Sequence, residues 1–440
     1  MDFNFDGVSR LEEFFGLIGN ALGSDKRRAS FASYAMGMFS DAERKSVEPL
    51  AALLTIDPAG VDAEHQRMLH FIRNSHWSNL KVRLESARYA LNSMTARERI
   101  NVWIVDDTGF LKQGKHSVGV QRQYTGSAGK VTNCQVGVSL SVATPTEHLP
   151  IDFELYIPES WADDSERCKK ALIPDGVKFL TKPELALQMI RRALAADISR
   201  GVFLADAGYG TSSDFRAELR SLGLEYAVAV NSSTKVQLLN NSGKPVGKRR
   251  SVAAIAKQLK NDFRPHVWRQ GTRRALKANF LKRRVQVSEH EFATLLIEWR
   301  DGEPTPANSF LIFMKKVPAM PQLLRIVMQR WRTERAYQDL KGELGLDHFE
   351  GRSFPGWHHH VSVVLSCYAF IIAERSRRFF SATARTLAHY PHTLTPSSSL
   401  RGQLRHHASC DCEIHQHMAP EMPLLPPPTS ASDQPPRVTQ

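Results

Sequence analysis

Between residues 101 and 230, short apolar runs rich in β-branched residues alternate with segments of helical period. No other feature of the sequence restricts the fold as much. "NVWIVDD" (Asn101–Asp107) reads as an apolar strand ending in two acids. "SVGVQRQY" and "CQVGVSLSVA" read as further strands, separated by the turn-like "TGSAGK". "TKPELALQMIRRALAADI" carries a Thr N-cap, an early Pro and a helical period, and "GVFLADAGYG" is a second apolar strand ending in Asp206. A short capped helix, "SSDFRAELRSLG", and the strand "EYAVAV" follow. Strand–helix–strand units of this kind require a mixed sheet with parallel members, and ligands of such sheets gather at the carboxyl ends of the strands.

A helix near residues 323–344 poses a chemical question. At 100° per residue, Leu323, Ile326, Val327, Tyr337 and Leu344 share one face, and Arg330, Glu334 and Lys341 fall in the middle of it. The opposite face is polar: Arg325, Gln329, Arg332, Arg335, Asp339 and Glu343. Burying an acid and two bases is costly, so inward-facing charges here imply a metal, a substrate or a buried partner; the simpler alternative is a one-turn Arg330–Glu334 ion pair.

Between this helix and the strand–helix alternation lies a block of different character. From Lys244 to Arg284 there are fourteen Lys and Arg and one acid, Asp262. "NFLKRRVQV", "FATLLIEW" and "SFLIFM" read as strands, so the block is expected to be β-rich with a basic face for nucleic acid. The whole chain of 440 residues carries a net charge of +13, which favours a polyanionic partner. Lys248, Arg249, Arg250, Arg273 and Arg274 are candidate phosphate contacts, with Trp268 and Arg269 for stacking on a base. Lys112, Lys115 and Lys130 sit on loops beside the first acids and are candidates of the same kind.

Five cysteines argue against a disulfide framework and fit a reducing cytoplasm. The start "MDFNFDGVSR" has no signal-peptide pattern. The longest apolar run, Val361–Ala373, is 13 residues, too short to span a bilayer, so no membrane association is expected. Residues 1–95 read as a helical domain and a candidate DNA-binding unit, 96–231 and 318–380 as the two parts of a catalytic core, 232–317 as the β-rich basic insertion, and 381–440 as a low-complexity tail. His406, His407, Cys410, Cys412, His415 and His417 in the tail are possible zinc ligands at a spacing that matches no common module. "WHHH" (Trp357–His360) is open between DNA or metal-water contacts and ordinary core roles.

Asp106 or Asp107, Asp206 and Glu334 come from three separate segments and converge at one sheet edge. Such a set of hard oxygen donors suits Mg²⁺, with Mn²⁺ as a substitute. Two ions about 3.5–4 Å apart can clamp a phosphodiester for in-line displacement. Without a cation, three close carboxylates repel and at least one takes a raised pKa.

These motifs resemble bacterial insertion-sequence transposases of the DDE, RNase H-like superfamily. More narrowly they resemble the branch with a β-rich insertion before the final Glu and a Tyr-x2-Arg-x3-Glu-x6-Lys signature. Arg330, Glu334 and Lys341 match three of its positions, while Val327 stands where the branch has Tyr. "VDDTGF" resembles the first catalytic segment and "LADAGYG" the second. The resemblance implies an α/β fold with an RNase H-like mixed sheet flanked by helices. It also implies Asp106, Asp206 and Glu334 as catalytic metal ligands, with Asp107 as the alternate first acid. Strand alternation puts the two paired acids on opposite faces, and the family pattern selects Asp106. The implied reaction is metal-dependent cleavage at element ends followed by transfer of the 3′-hydroxyl into target DNA. Arg330 and Lys341 would contact phosphates. A homodimer or larger assembly would hold two double-stranded ends, in the bacterial cytoplasm at the nucleoid. The rival readings are an inactive or domesticated DNA-binding descendant, and a nuclease that cuts without joining.

Overall fold

The structure is a computed structural model describing residues 3–270 and 275–382. Five helices come first: α1 (Phe3–Leu22), α2 (Asp25–Phe39), α3 (Val47–Leu54), α4 (Val61–Arg73) and α5 (Asn79–Met94). Four strands follow: β1 (Val102–Leu111), β2 (Gln121–Thr125), β3 (Lys130–Ala143) and β4 (His148–Leu155). Two short helices, α6 (Glu159–Ala162) and α7 (Ser165–Lys170), lead to α8 (Lys182–Ala195). Next come β5 (Val202–Ala205), α9 (Ala207–Gly210), α10 (Ser213–Ser221) and β6 (Tyr226–Ala229). Local signals explain several boundaries. Thr181 and Glu184 form a reciprocal capping box at the start of α8, and Ser212 caps α10.

The β-rich block then supplies β7 (Lys235–Leu239), β8 (Pro245–Ser251), α11 (Val252–Gln258), β9 (Arg264–Gln270), β10 (Ala275–Ser288), β11 (Glu291–Trp299) and β12 (Asn308–Phe313). The chain closes with α12 (Met320–Val327), α13 (Trp331–Gly342) and α14 (Phe354–Ala382).

Among the described residues the strands form one sheet, ordered β2-β3-β1-β5-β6-β12-β11-β10-β7-β8, with β4 also on β3 and β9 also on β10. β1 pairs antiparallel with β3 and parallel with β5, and β5 pairs parallel with β6. This is the mixed sheet expected of an RNase H-like core. The β-rich block extends that sheet, because β12 pairs antiparallel with β6, although it buries a hydrophobic cluster of its own around Val236, Ile255, Val285, Leu295 and Leu311. The N-terminal helices share one continuous core with the first strands and α14, through residues such as Phe14, Phe31, Phe71, Val82 and Phe370. The apolar run Val361–Ala373 is buried inside α14.

Two local expectations need correction. β1 does not end at the paired acids. It runs on to Leu111 because β3 pairs with it along its whole length, whereas β5 stops pairing after Ile104↔Leu204. The helix of residues 323–344 is not continuous. A 3-10 turn at Met328–Arg330 separates α12 from α13 and changes the helical phase. Leu323 and Val327 therefore pack with Val102, Ile104 and Leu204, whereas Tyr337 and Leu344 join the main core.

Candidate active site

Strand alternation divides the two acids of β1. Val102 and Ile104 lie in the cluster with α12, and Asp106 continues that face. Trp103 and Val105 belong to the opposite, α8-covered core, and Asp107 continues that one. Asp106 is 6% exposed. Its Oδ2 accepts a hydrogen bond from Arg330 Nη1 at 2.5 Å. Burial pushes the Asp106 carboxyl up to about 7, with Asp206 and Asp107 adding repulsion, while the Arg330 guanidinium and the Asp107 amide pull the other way. One carboxylate of the group was expected to shift upward, and it is this one.

Asp206 follows directly on β5 and caps α9, its Oδ1 accepting from Gly208 N at 2.9 Å. Arg330 Nη2 lies 3.3 Å from Glu334 Oε1. Asp106, Glu334 and Asp206 together hold the Arg330 guanidinium protonated against its burial. Asp106 and Glu334, from two separate segments, thus share one guanidinium by direct contact, and the Asp206 charge adds to its field from the end of β5. Among the described residues no three His, Cys, Asp or Glu side chains already converge on a single ion position. Arg330 stands as the common counter-cation.

Glu334 departs from the expected inward orientation. Its side chain is 59% exposed, because the phase break before α13 turns it toward the rim of the site. Asp339, expected on the polar face, is buried instead and pairs with Arg335 at 3.0 Å. Burial lifts the Asp339 carboxyl to about 6. Two contacts dock α13 on the sheet. The Tyr337 hydroxyl lies 2.6 Å from Ser139 Oγ, and Ser139 is the cross-strand partner of Asp106. Lys341 Nζ donates to Thr108 Oγ1 at 2.9 Å, Gly109 O at 2.7 Å and Ser127 Oγ at 3.3 Å. Lys341 therefore grips the second half of β1 in this structure.

Asp107 has separate partners. Its Oδ2 pairs with Lys182 Nζ at 2.8 Å, and its Oδ1 accepts from the Tyr209 hydroxyl at 3.1 Å. Burial raises the Tyr209 pKa well above its ordinary value, so this hydroxyl is a donor. Neither partner was singled out from the sequence. The only available signal was the position of Tyr209 inside "ADAGYG". Gly210 at the end of that turn has no room for a side chain, since a Cβ there would lie 2.1 Å from Ala229 O.

A family model described as DDE superfamily endonuclease matches residues 18–291. The chain belongs to that family. The matched span contains Asp106 and Asp206 and ends before α13. A "Probable transposase for insertion sequence element IS701" from Microchaete diplosiphon is 26% identical over 353 residues, covering 80% of this chain and 84% of that protein. A cryo-EM structure of a piggyBac transposase synaptic complex with hairpin DNA overlaps 87% of this chain and 70% of its own, at 11% identity and a TM-score of 0.41.

In this DDE-family chain the remaining candidates are scattered. Lys112 turns inward and donates to Phe349 O at 2.6 Å, while Lys115 and Lys130 are exposed. Lys248, Arg249 and Arg250 lie on the exposed strand β8, at one end of the sheet. Arg249 donates to the carbonyls of Lys235 and Val287, and Arg250 to Gln258 Oε1. Arg269 stacks 3.5 Å over the Trp331 ring, which ties β9 to the start of α13, and Trp268 lines a cavity of about 510 Å³ with Lys277 and Arg300. Arg273, Arg274 and the tail His and Cys residues lie outside the described residues.

The histidines of "WHHH" serve the core. His359 stacks on Trp77 at 3.9 Å, and His360 meets the Tyr34 hydroxyl at 3.0 Å. His358 is fully enclosed, and burial lowers its pKa. No helix among the described residues is long and apolar enough to cross a membrane.

Proposed function

We propose that this chain is an insertion-sequence transposase whose reaction centre is formed by Asp106, Asp206 and Glu334. In this reading it cuts DNA at element ends and joins the freed 3′-hydroxyl to target DNA. One observation supports the assignment of residues: the Arg330 guanidinium bridges Asp106 on β1 and Glu334 on α13, and Asp206 follows β5 at the level of Asp106 in the continued β1–β5 register. Membership of the endonuclease family and the similarity to a probable insertion-sequence transposase support the reaction class.

The donor set fits divalent metal. All three candidates are hard carboxylate oxygens, and the group already requires a positive charge to offset its repulsion. Asp106, Asp206 and Glu334 would hold Mg²⁺ or Mn²⁺. Bound there, two ions would supply an activated attacking oxygen and charge neutralisation at the leaving oxygen.

The protein's own contributions are distinct. β1 fixes Asp106 through its pairing with β3. Tyr337 and Lys341 fasten α13, and with it Glu334, against β1 and β3. Arg330, displaced from Asp106, would meet a phosphate oxygen through its planar fork. Lys115, Lys130 and the exposed β8 cations would hold the duplex backbone. Joining two element ends requires two copies or more, so a homodimer or larger assembly on DNA belongs to the same proposal.

An assay offering a labelled element end together with a target plasmid tests it. The expected outcome is a joined product that requires Mg²⁺ or Mn²⁺ and is lost in Asp106→Asn, Asp206→Asn and Glu334→Gln. Cutting without joining would reassign the chain as a nuclease, and binding alone would make it an inactive descendant.

A further inference from the structure

The sheet leaves one connection in the proposed site unmade. Hydrogen-bonded register between β1 and β5 ends at Ile104↔Leu204. Continuing that register would place Asp106 level with Asp206, yet no ladder bond ties them, because β5 gives way to the turn of α9. A four-residue helix is too short to hold its own orientation. Pairing with β6 holds the β5 backbone as far as Ala205, and the Asp206 carboxylate beyond it needs a further tie to β1.

We propose that Asp107 is a positioning residue. Through the Tyr209 hydroxyl it fastens the Asp206 turn to β1, and so sets the spacing between the first two metal-binding acids. Tyr209 lies three residues after Asp206, within the helix that Asp206 caps. Its ring is 1% exposed and packs against Phe215 with centroids 6.0 Å apart, so the hydroxyl has little freedom. That hydroxyl donates to Asp107 Oδ1 at 3.1 Å, and Lys182 Nζ secures Oδ2 at 2.8 Å. Asp107 is the immediate neighbour of Asp106 on a strand paired with β3 throughout, so its backbone is as fixed as that of Asp106. Its amide also donates to Asp106 Oδ1 at 2.9 Å. The two faces of β1 thereby divide the work: Asp106 presents its oxygens to the reaction, while Asp107 ties in the segment that brings the next acid.

This inference rests on Asp106 and Asp206 being metal ligands, and the test separates the two ideas. Mn²⁺ binding to the full-length protein without DNA is measured by electron paramagnetic resonance, alongside thermal melting. Supporting-group substitutions of this kind typically weaken metal affinity by about 10- to 100-fold. Tyr209→Phe and Asp107→Ala are expected to do so, and the double variant to lose no more than either alone. Asp107→Asn keeps an oxygen for the Tyr209 hydroxyl and is expected to restore most of the affinity, which a purely structural role of the carboxylate would not produce. Wild-type Mn²⁺ affinity in Tyr209→Phe, with Asp206→Asn having lost it, overturns the positioning role. Wild-type affinity in Asp206→Asn overturns the assignment of the metal site itself. Should Asp107→Ala fail to fold, Tyr209→Phe alone decides, since it removes a single oxygen atom.

Discussion

Arg330 and Asp106, far apart along the chain, meet at 2.5 Å in a partly buried ion pair at the centre of the proposed site. The same guanidinium reaches Glu334 one helical turn away. This arginine neutralises two of the acids proposed to hold metal, so under that proposal arginine and divalent cation would compete for the same oxygens.

Arg330→Met is therefore expected to bind Mn²⁺ more tightly than wild type in the absence of DNA. A charge-assisted hydrogen bond contributes about 1.5–3 kcal/mol. The side chain is one-third exposed, so the lower end applies, roughly a tenfold gain in affinity. Strand cleavage should fall in the same variant, because the proposed phosphate contact is lost. Calorimetric titration with Mn²⁺ and a single-turnover cleavage assay check the two halves. Unchanged affinity would show that Arg330 does not compete.

The Asp106 carboxyl, lifted from 3.8 to about 7, gives a pH dependence of known sign. Between these values the folded protein holds a proton that the unfolded chain has released. The contribution to stability is full below the lower value and is lost as pH rises through about 7. The EDTA-treated protein should melt at lower temperature near pH ~8 than near pH ~5, and Asp106→Asn should remove this part of the slope. Mn²⁺ affinity should move the opposite way, rising with pH, because binding requires the carboxylate.

Glu291 opens β11 as a buried anion among cationic and hydroxyl partners. Arg216 meets it bidentately at 2.7 and 2.9 Å, Arg220 lies at 3.1 Å, and the Tyr226 hydroxyl donates at 2.9 Å. This cluster joins α10 and β6 of the core to the β-rich block. Glu291→Ala strands a buried guanidinium and is expected to cost about 3–5 kcal/mol in urea unfolding. Loss of less than ~1 kcal/mol would mean that the block is held by its sheet pairing alone.

DNA binding should weaken steeply with salt, since cations dominate the exposed end of the sheet. Lys248→Ala and Lys130→Ala should each reduce the log–log salt slope by about 1. Lys112→Met should lower the melting temperature and leave that slope unchanged, because its ammonium is held by the Phe349 carbonyl. Fluorescence anisotropy across a salt series distinguishes the two behaviours.

Much of this arrangement was legible in the sequence because it is written in local patterns. Alternating apolar runs located β1, β5 and β6, the Thr181 and Ser212 caps located α8 and α10, and the one-sided charge marked the β-rich block. Asp206 fell at the end of its strand as expected. Element order and residue type point to Asp106 or Asp107, Asp206 and Glu334 as candidates, and the family resemblance selects Asp106 of the pair.

Other features depended on contacts that no window of sequence contains. The end of β1 is not written in its own residues, because its length is set by β3, a partner about thirty residues away. A single helical phase through residues 328–330 turns Glu334 inward, whereas packing on two different cores imposes a break there. The same packing decided that Arg330 stands among the acids, that Lys341 grips β1, and that Asp107 belongs to Tyr209 and Lys182. Side-chain periodicity fixes which residues share a face of one element, and the sequence by itself determined that much. Which faces meet, and which charges neutralise one another there, is decided by burial across distant segments, and only the tertiary structure carries that information.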